Sequence, residues 1–394
     1  MSATRLPRPG RLPRGLLSTS LLSLFAARAA HAETSVTFKN QSWQEDDKRI
    51  RVDSQYGLLD AELSPDARLK VMGLIDTIAG ATPTGEKAAP GAPVPLARME
   101  DERKAWDANL SYQFKRVNVA VGYGNSRESD YVSNGSSINT VTDFNQKNTT
   151  LLLGWGHTDD RIMNRNWAPD RAKTSDDLIV GLTQLLDPAT QITVNFSVGR
   201  SEGYLADPYK LVSKTVLFDP GVPGFPPIPI PSTSAENRPG EKEKAGLFLG
   251  ANHRFERLDA ALDASYRIYH DDFGVTSHTV ALEWFQNLGP DLILRPGLRY
   301  YRQSAADFYY YDLDRAGVFP HDRQPGRGPF YSSDYRLSEM ETVTLGLKVI
   351  WNVRPWLAVD AAVERYLVRG LDGETPQGVY SDANVVTLGL KLSR

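Results

Sequence analysis

Along most of this chain, apolar and polar side chains trade places residue by residue. Near the C-terminus Val386, Leu388, Leu390 and Leu392 share one face, and Thr387, Gly389 and Lys391 the other. Val343, Leu345, Leu347, Val349 and Trp351 stand opposite Thr342, Thr344, Gly346 and Lys348. Ile192, Val194, Phe196 and Val198 alternate with Thr193, Asn195, Ser197 and Gly199; Trp106, Ala108, Leu110, Tyr112 and Phe114 alternate with Asp107, Asn109, Ser111 and Gln113. A period of two marks a strand with one apolar face, and about 9 residues of it reach across a bilayer when tilted.

The connections separate a membrane barrel from a soluble β-sandwich, the alternative fold. Short turns fall at Ser64–Ala67, Lys115-Arg116, Asn145–Asn148, Asp187–Thr190, Glu256-Arg257, Gly289–Asp291 and Arg354-Pro355. Between them lie longer connections near 81–102, 159–175, 203–243, 305–330 and 370–381, together with three tight ends near Glu45–Lys48, Ser126–Asp130 and Asp271–Val275. Short turns on one rim and long loops on the other is the asymmetry of outer-membrane barrels. The pattern predicts strands near 35–44, 49–63, 68–79, 104–114, 117–125, 130–144, 148–158 and 176–186. A second set follows near 190–201, 244–255, 257–270, 275–286, 291–303, 334–352, 356–369 and 383–393. The expected fold is therefore all-β, a single antiparallel transmembrane β-barrel of about 16 strands. Asp219 to Gly240 carries seven prolines. Proline cannot donate to a ladder, so this stretch is expected to be an extended loop, either free in solvent or folded over the mouth.

Composition sharpens this picture. Arg5, Arg8, Arg11 and Arg14 precede a short apolar run from Gly15 to Ala27, and Ala30-His31-Ala32 supplies a small-x-small cleavage pattern. Residues 1–32 read as a cleaved signal peptide, leaving 33–394 as the barrel. The 394 residues include no cysteine, so an exported chain of this length needs a stabilising device other than disulfides. A net charge of −3 without a basic stripe gives no case for nucleic acid. Negative mean hydropathy excludes a helical membrane bundle, yet it suits a barrel whose strands turn half their side chains to water.

Several segments resemble the bacterial family known as domain of unknown function 3570. They are Asp76–Gly85, Asp143–Thr150, Gly203–Lys210, Glu236–Pro239, His270–Gly274 with Ser277–Thr279, and Leu298–Tyr309. They follow the family's order over nearly all of residues 33–394. The resemblance implies an outer-membrane barrel of a Gram-negative bacterium with no established activity, in a context that includes flavin-attachment and thioredoxin-like proteins. The chain ends Leu390-Lys391-Leu392-Ser393-Arg394, without the terminal aromatic that the barrel-assembly machinery reads in many such proteins.

Candidate chemistry is sparse. Alternation turns Asp259, Asp263, Arg267, Glu283, Arg295, Arg299, Lys348, Asp360, Glu364 and Lys391 towards the lumen. These charges either cross-brace a wet interior or set a transverse field that selects solutes. His270-Asp271-Asp272 could activate water at the rim, as could His157 with Asp159 and Asp160, but neighbours on a strand point to opposite faces. A tight Asp-Asp-Phe-Gly turn accounts for the first group equally well. No metal-ligand spacing or cofactor motif stands out, and Gly122-Tyr123-Gly124 opens no helix. Phe308–Tyr311 and Arg299-Tyr300-Tyr301 read as girdle and rim aromatics, or as a sugar-stacking platform. The expected function is a porin-like conduit for small solutes, with outer-membrane lipid as surroundings. The alternatives are a structural barrel that docks a periplasmic or surface partner, such as a redox protein, and a rim hydrolase.

Overall fold

The structure is a computed structural model that describes residues 33–89, 91–163, 170–314, 316–320 and 326–394. The expected signal peptide lies outside the described residues. The first strands are β1 (Thr34–Glu45), β2 (Arg51–Ser64), β3 (Ala67–Pro83), β4 (Leu96–Phe114), β5 (Val117–Arg127) and β6 (Tyr131–Phe144). Next come β7 (Thr149–Ile162), β8 (Arg171–Asp187), β9 (Thr190–Gly203), β10 (Leu211–Phe218), β11 (Ile228–Ala235) and β12 (Glu241–Phe255). The chain ends with β13 (Ala260–Asp271), β14 (Thr276–Asn287), β15 (Leu292–Gln303), β16 (Met340–Arg354), β17 (Leu357–Gly370) and β18 (Ala383–Ser393). Sixteen of these form one closed antiparallel ring in chain order, sealed by β18 against β1, while β10 and β11 form a separate hairpin between β9 and β12. Closure leaves no unpaired edge, which the hydrocarbon core of a bilayer demands.

The apolar rows face outwards. Val363 and Leu388 are 56% and 57% exposed, with Trp106, Leu110, Val180, Phe196, Leu345 and Leu347 likewise open. Outward aromatics gather at two levels. Phe114, Phe144, Trp351 and Trp356 lie near the short turns, and Trp106, Tyr123 and Trp155 lie nearer the other rim. An apolar belt between aromatic girdles on a closed sheet is the surface of an outer-membrane protein. The protein is an outer-membrane β-barrel.

At one rim, connections of two to four residues join β2–β3, β4–β5, β6–β7, β8–β9, β12–β13, β14–β15 and β16–β17. Both ends of the barrel chain meet there, with the Thr34 amide donating to the Arg394 carbonyl at 3.3 Å and the Arg394 amide returning to Thr34 at 2.9 Å. This is the periplasmic rim by loop asymmetry. The opposite rim carries the connections 84–95, 204–240, 304–339 and 371–382.

Three features of the expected map change, the first being the strand expected at 334–352, which begins only at Met340 and leaves Asp334 to Ser338 in the loop before it. β4 begins at Leu96 and β8 at Arg171, both inside stretches expected to be loops. Arg98, Glu100, Glu102 and Lys104 continue the ladder past the apolar belt, where outward positions meet water and alternation of polarity stops while pairing continues. The proline-rich stretch also contains a strand, since β11 holds Pro229 and Pro231. Both share one edge of a two-stranded ribbon, where a missing N–H breaks no ladder bond.

Candidate functional site

The connections that follow β3, β9 and β15 leave the ring at three well-spaced points and meet one another, so they span the extracellular mouth. The Leu211 amide donates to the Thr84 carbonyl at 2.9 Å, and the Ser333 hydroxyl donates to the Gly85 and Leu211 carbonyls at 3.0 and 2.5 Å. Gly85 stands at φ +92°, and a Cβ there would lie 2.3 Å from the Leu211 oxygen, so only glycine fits this three-way junction. Asn237 and Tyr331 exchange backbone hydrogen bonds of 2.9 and 2.8 Å, and the Leu313 amide donates to Ser213 at 2.9 Å. The loop 371–382 joins through the Tyr309 and Thr375 hydroxyls, 2.6 Å apart.

Two apolar clusters fill this cap. Phe273, Val275, Ala306 and Phe308 pack with Leu205, Tyr269, Phe330 and Leu337. Val212, Leu313 and Tyr331 form the second, in which Leu313 is fully buried. The expectation of girdle aromatics at Phe308–Tyr311 is thereby corrected. Phe308 is buried in the cap, and of the neighbouring tyrosines only Tyr300 takes an outward strand position, with Tyr301 turned inwards. Lipid-facing and cap-filling aromatics have the same composition, and only the path of the loop tells them apart.

An ionic cluster locks the cap. The Asp334 carboxylate, 1% exposed, meets Arg238 at 2.8 Å and Arg336 at 2.6 Å; Arg238 also meets Glu236 at 2.8 Å, and Arg336 reaches Asp207 at 2.6 Å. Burial works against ionisation of Asp334, but Arg336, Arg238 and Lys210 outweigh it and hold its carboxyl below the usual carboxylate range. For Glu236 burial wins, despite Arg238, and its carboxyl is raised. The buried Lys210 ammonium, lowered by burial, donates to the Pro83 carbonyl at 2.6 Å.

Beneath the cap lies a chamber of about 460 Å³. Its wall side is made by inward residues of β8, β9, β12 and β13, including Lys173, Asp177, Lys244 and Arg267; its roof is Leu205, Arg238, Phe273 and Leu337. Lys244 pairs with Asp177 at 2.8 Å across Gly199, where a Cβ would lie 2.0 Å from the Asp177 oxygen and 2.4 Å from Lys244 Cε. The glycine thus makes room for the bridge.

A sequence profile described as a protein of unknown function, DUF3570, matches residues 92–387. The chain belongs to the DUF3570 family. No curated protein matches it. Among solved structures it is similar to OccK3 (OpdO) of Pseudomonas aeruginosa at 12% identity, covering 92% of this chain and 95% of that one, with a TM-score of 0.42. It is also similar to a loop-deleted OmpT, an outer membrane protein of Vibrio cholerae, at 9% identity, 92% and 99% coverage and a TM-score of 0.44. A siderophore receptor of Pseudomonas aeruginosa, PirA, matches at 14% identity and a TM-score of 0.41, over 86% of this chain and 57% of the receptor. The chain therefore spans little more than half the length of that receptor. No solute or partner follows from these likenesses.

In this DUF3570 barrel, the charged residues singled out from the sequence fall as follows. Asp263 and Arg267 on β13, Glu283 on β14, and Arg295 and Arg299 on β15 share the inward face through direct pairing. Lys348 on β16, Asp360 and Glu364 on β17, and Lys391 on β18 occupy the same side. Arg295 meets Glu283 at 3.1 Å and Lys348 meets Asp360 at 2.7 Å. Asp259 does not belong with them, because Glu256–Leu258 forms a short 3-10 turn that pushes Asp259 into a left-handed cap at the periplasmic rim. The strand itself begins only at Ala260.

His270 and Asp271 point to opposite sides. Asp271 is 1% exposed, pairs with Lys242 at 2.7 Å and accepts from the Val275 amide at 3.0 Å, while His270 bonds Thr276 at 2.9 Å. Asp271–Gly274 is thus a tight turn. His157 sits 3.0 Å from Asp176 and 3.3 Å from Asp159, whereas Asp160 turns inwards to Lys173. Asp101, Glu128 and Asp130 bring carboxylate oxygens within 4.8 Å at the extracellular rim; burial, and then Asp101, raise the Glu128 carboxyl.

Sequence reasoning missed the chamber lysines, because Lys173 and Lys242 fell inside expected loops. The signal was present. Lys242 and Lys244 sit two apart and in phase with Gly246 and Phe248, which continue the inward row of β12.

Proposed function

We propose that this protein is a gated conduit for small solutes across the outer membrane. One observation carries the reading: a sixteen-stranded ring with a charged inner face has one rim bare and the other spanned by its own packed loops. A ring of this strand number encloses water unless something fills it. The cap restricts entry, and the charged wall, from Arg267 down to Lys391, sets the field that a passing solute experiences. Planar-bilayer recording on refolded protein tests this. The wild type should conduct weakly or flicker, and a chain with 211–235 replaced by a short linker should conduct steadily. Silence from both, with heat-modifiable gel mobility intact, would sink the conduit.

A second reading, a docking barrel, has one observation in its favour. The tip of the β10–β11 hairpin exposes Leu217, Phe218, Val222, Phe225 and Ile228 beyond the rim. It predicts that removing 211–235 abolishes capture of a partner while leaving the bilayer silent.

A further inference from the structure

The chamber beneath the cap is layered by charge. Lys173, Lys242 and Arg238 line it, whereas the carboxylates that hold them do not. Asp160 binds Lys173 at 2.9 Å, Asp271 binds Lys242 at 2.7 Å and Asp334 binds Arg238 at 2.8 Å, and these three side chains are 5%, 1% and 1% exposed. The anions sit behind, and the cations face the cavity. An ammonium has three donors and a guanidinium five, so each retains donors beyond those its carboxylate takes. Asp177 is the one carboxylate among the described lining residues, and Lys244 holds it at 2.8 Å.

Arg267 stands apart. Among the described residues no carboxylate lies within ion-pair distance of it; its guanidinium rests over the Tyr269 ring, 6.0 Å from the centroid, and it is exposed to the chamber. A guanidinium held on an aromatic face with its fork free is a preorganised partner for a carboxylate, phosphonate or phosphate. The apolar surface of the chamber is in its roof, where Leu205, Phe273 and Leu337 stand beside Arg238 and the Lys242 ammonium lies 4.8 Å from the centre of the Phe273 ring.

We infer that this chamber binds a small organic anion, one acidic group on an apolar body, with Arg267 receiving the acid and the Phe273–Leu337 side receiving the body. The inference rests on the conduit reading and names its solute class. The cavity volume of about 460 Å³ lies within the range of ligand pockets. Partial exclusion of water beneath the cap would strengthen each charged contact relative to open water.

The test uses refolded full-length protein and calorimetric titration with benzoate, benzamide, acetate and benzylammonium. Benzoate should bind at least about tenfold tighter than each of the others. Arg267→Gln should weaken benzoate about tenfold while leaving benzamide unchanged, and Arg267→Lys should recover part of the loss. Heat-modifiable mobility confirms that each variant is folded, and among the described residues Arg267 has no ion pair whose loss would unfold the cap. Equal binding of benzamide and benzoate would overturn the charge assignment, and equal binding of acetate would overturn the apolar half. Bilayer recordings separate this from the conduit itself. A silent protein that still binds benzoate rejects the conduit and keeps the site, whereas a conducting protein that passes benzylammonium as readily as benzoate rejects the anion inference alone.

Discussion

At the periplasmic rim, strands are joined by two to four residues that never leave the wall, and several turns rest on left-handed residues such as Lys115 at φ 53° and Asn145 at φ 47°. At the extracellular rim, the two connections that run from 204 to 240 and from 304 to 339 cross the opening and bury Leu313, Val212 and Asp334. The first rim is local, with each turn closing one hairpin and depending on nothing beyond its neighbours. The second is a small folded unit with its own core and its own buried ions. A change at a turn should therefore be felt at one hairpin. A change in the cap should be felt across the mouth, with the barrel beneath unaffected.

The largest break in that contrast should come from Asp334→Ala. It leaves Arg238 without one of its buried partners, and breaking a buried ion pair costs about 3–5 kcal/mol. Limited proteolysis should then cut within 204–240 and 304–339 while heat-modifiable mobility persists. Unchanged resistance of these loops would show that the ions do not hold the cap.

Acidity should act on the same cluster in two steps. Glu236, raised by burial, is penalised while ionised, so lowering the pH from neutral through its raised range should tighten the cap. Asp334, held low by its arginines, contributes in full above the unfolded value of about 3.9 and loses that contribution as the pH falls further towards its folded value. Loop proteolysis plotted against pH should thus pass through a minimum in mildly acidic solution, with the barrel transition unmoved. A monotonic curve would contradict this assignment.

A smaller effect belongs to Gly199→Ala. The new methyl would displace the ends of Asp177 and Lys244, flexible and substantially exposed side chains that can swing aside, so the cost should be only about 0.5–1 kcal/mol. Hydrogen exchange should quicken at the upper ends of β8 and β9, and conductance should change without loss of the fold. Smallest of all, Lys115→Gly should alter barrel stability by less than about 0.5 kcal/mol, because relief of the left-handed backbone offsets the entropy that glycine adds to the unfolded chain. A shift as large as that of the cap variant would erase the distinction between the two rims.

The wall was legible because its rule is local. A period of two assigns Val386, Leu388 and Leu390 to one side whatever else the molecule does, and short turns at Asp187–Thr190 or Arg354-Pro355 reveal which rim is which. The rule lapsed where lipid ends. Leu96–Lys104 is a strand without an apolar face, and Asp259 lost its strand position to a turn. Within the site, alternation turns Arg267 and Lys348 inwards, but it does not say that Lys348 finds Asp360 while Arg267 rests over a tyrosine ring. That depends on the register of neighbouring strands. The cap was out of reach for a stronger reason. Its contacts join Gly85 to Ser333, 248 residues apart, and Asn237 to Tyr331, and no periodicity in the loops encodes them. The amino-acid order by itself determined a lipid-facing closed sheet, since every residue in it obeys the same solvent boundary. Only the tertiary structure decided that the mouth is capped, and which cations line the chamber below, because those outcomes depend on distant segments meeting over an opening that the ring must first create.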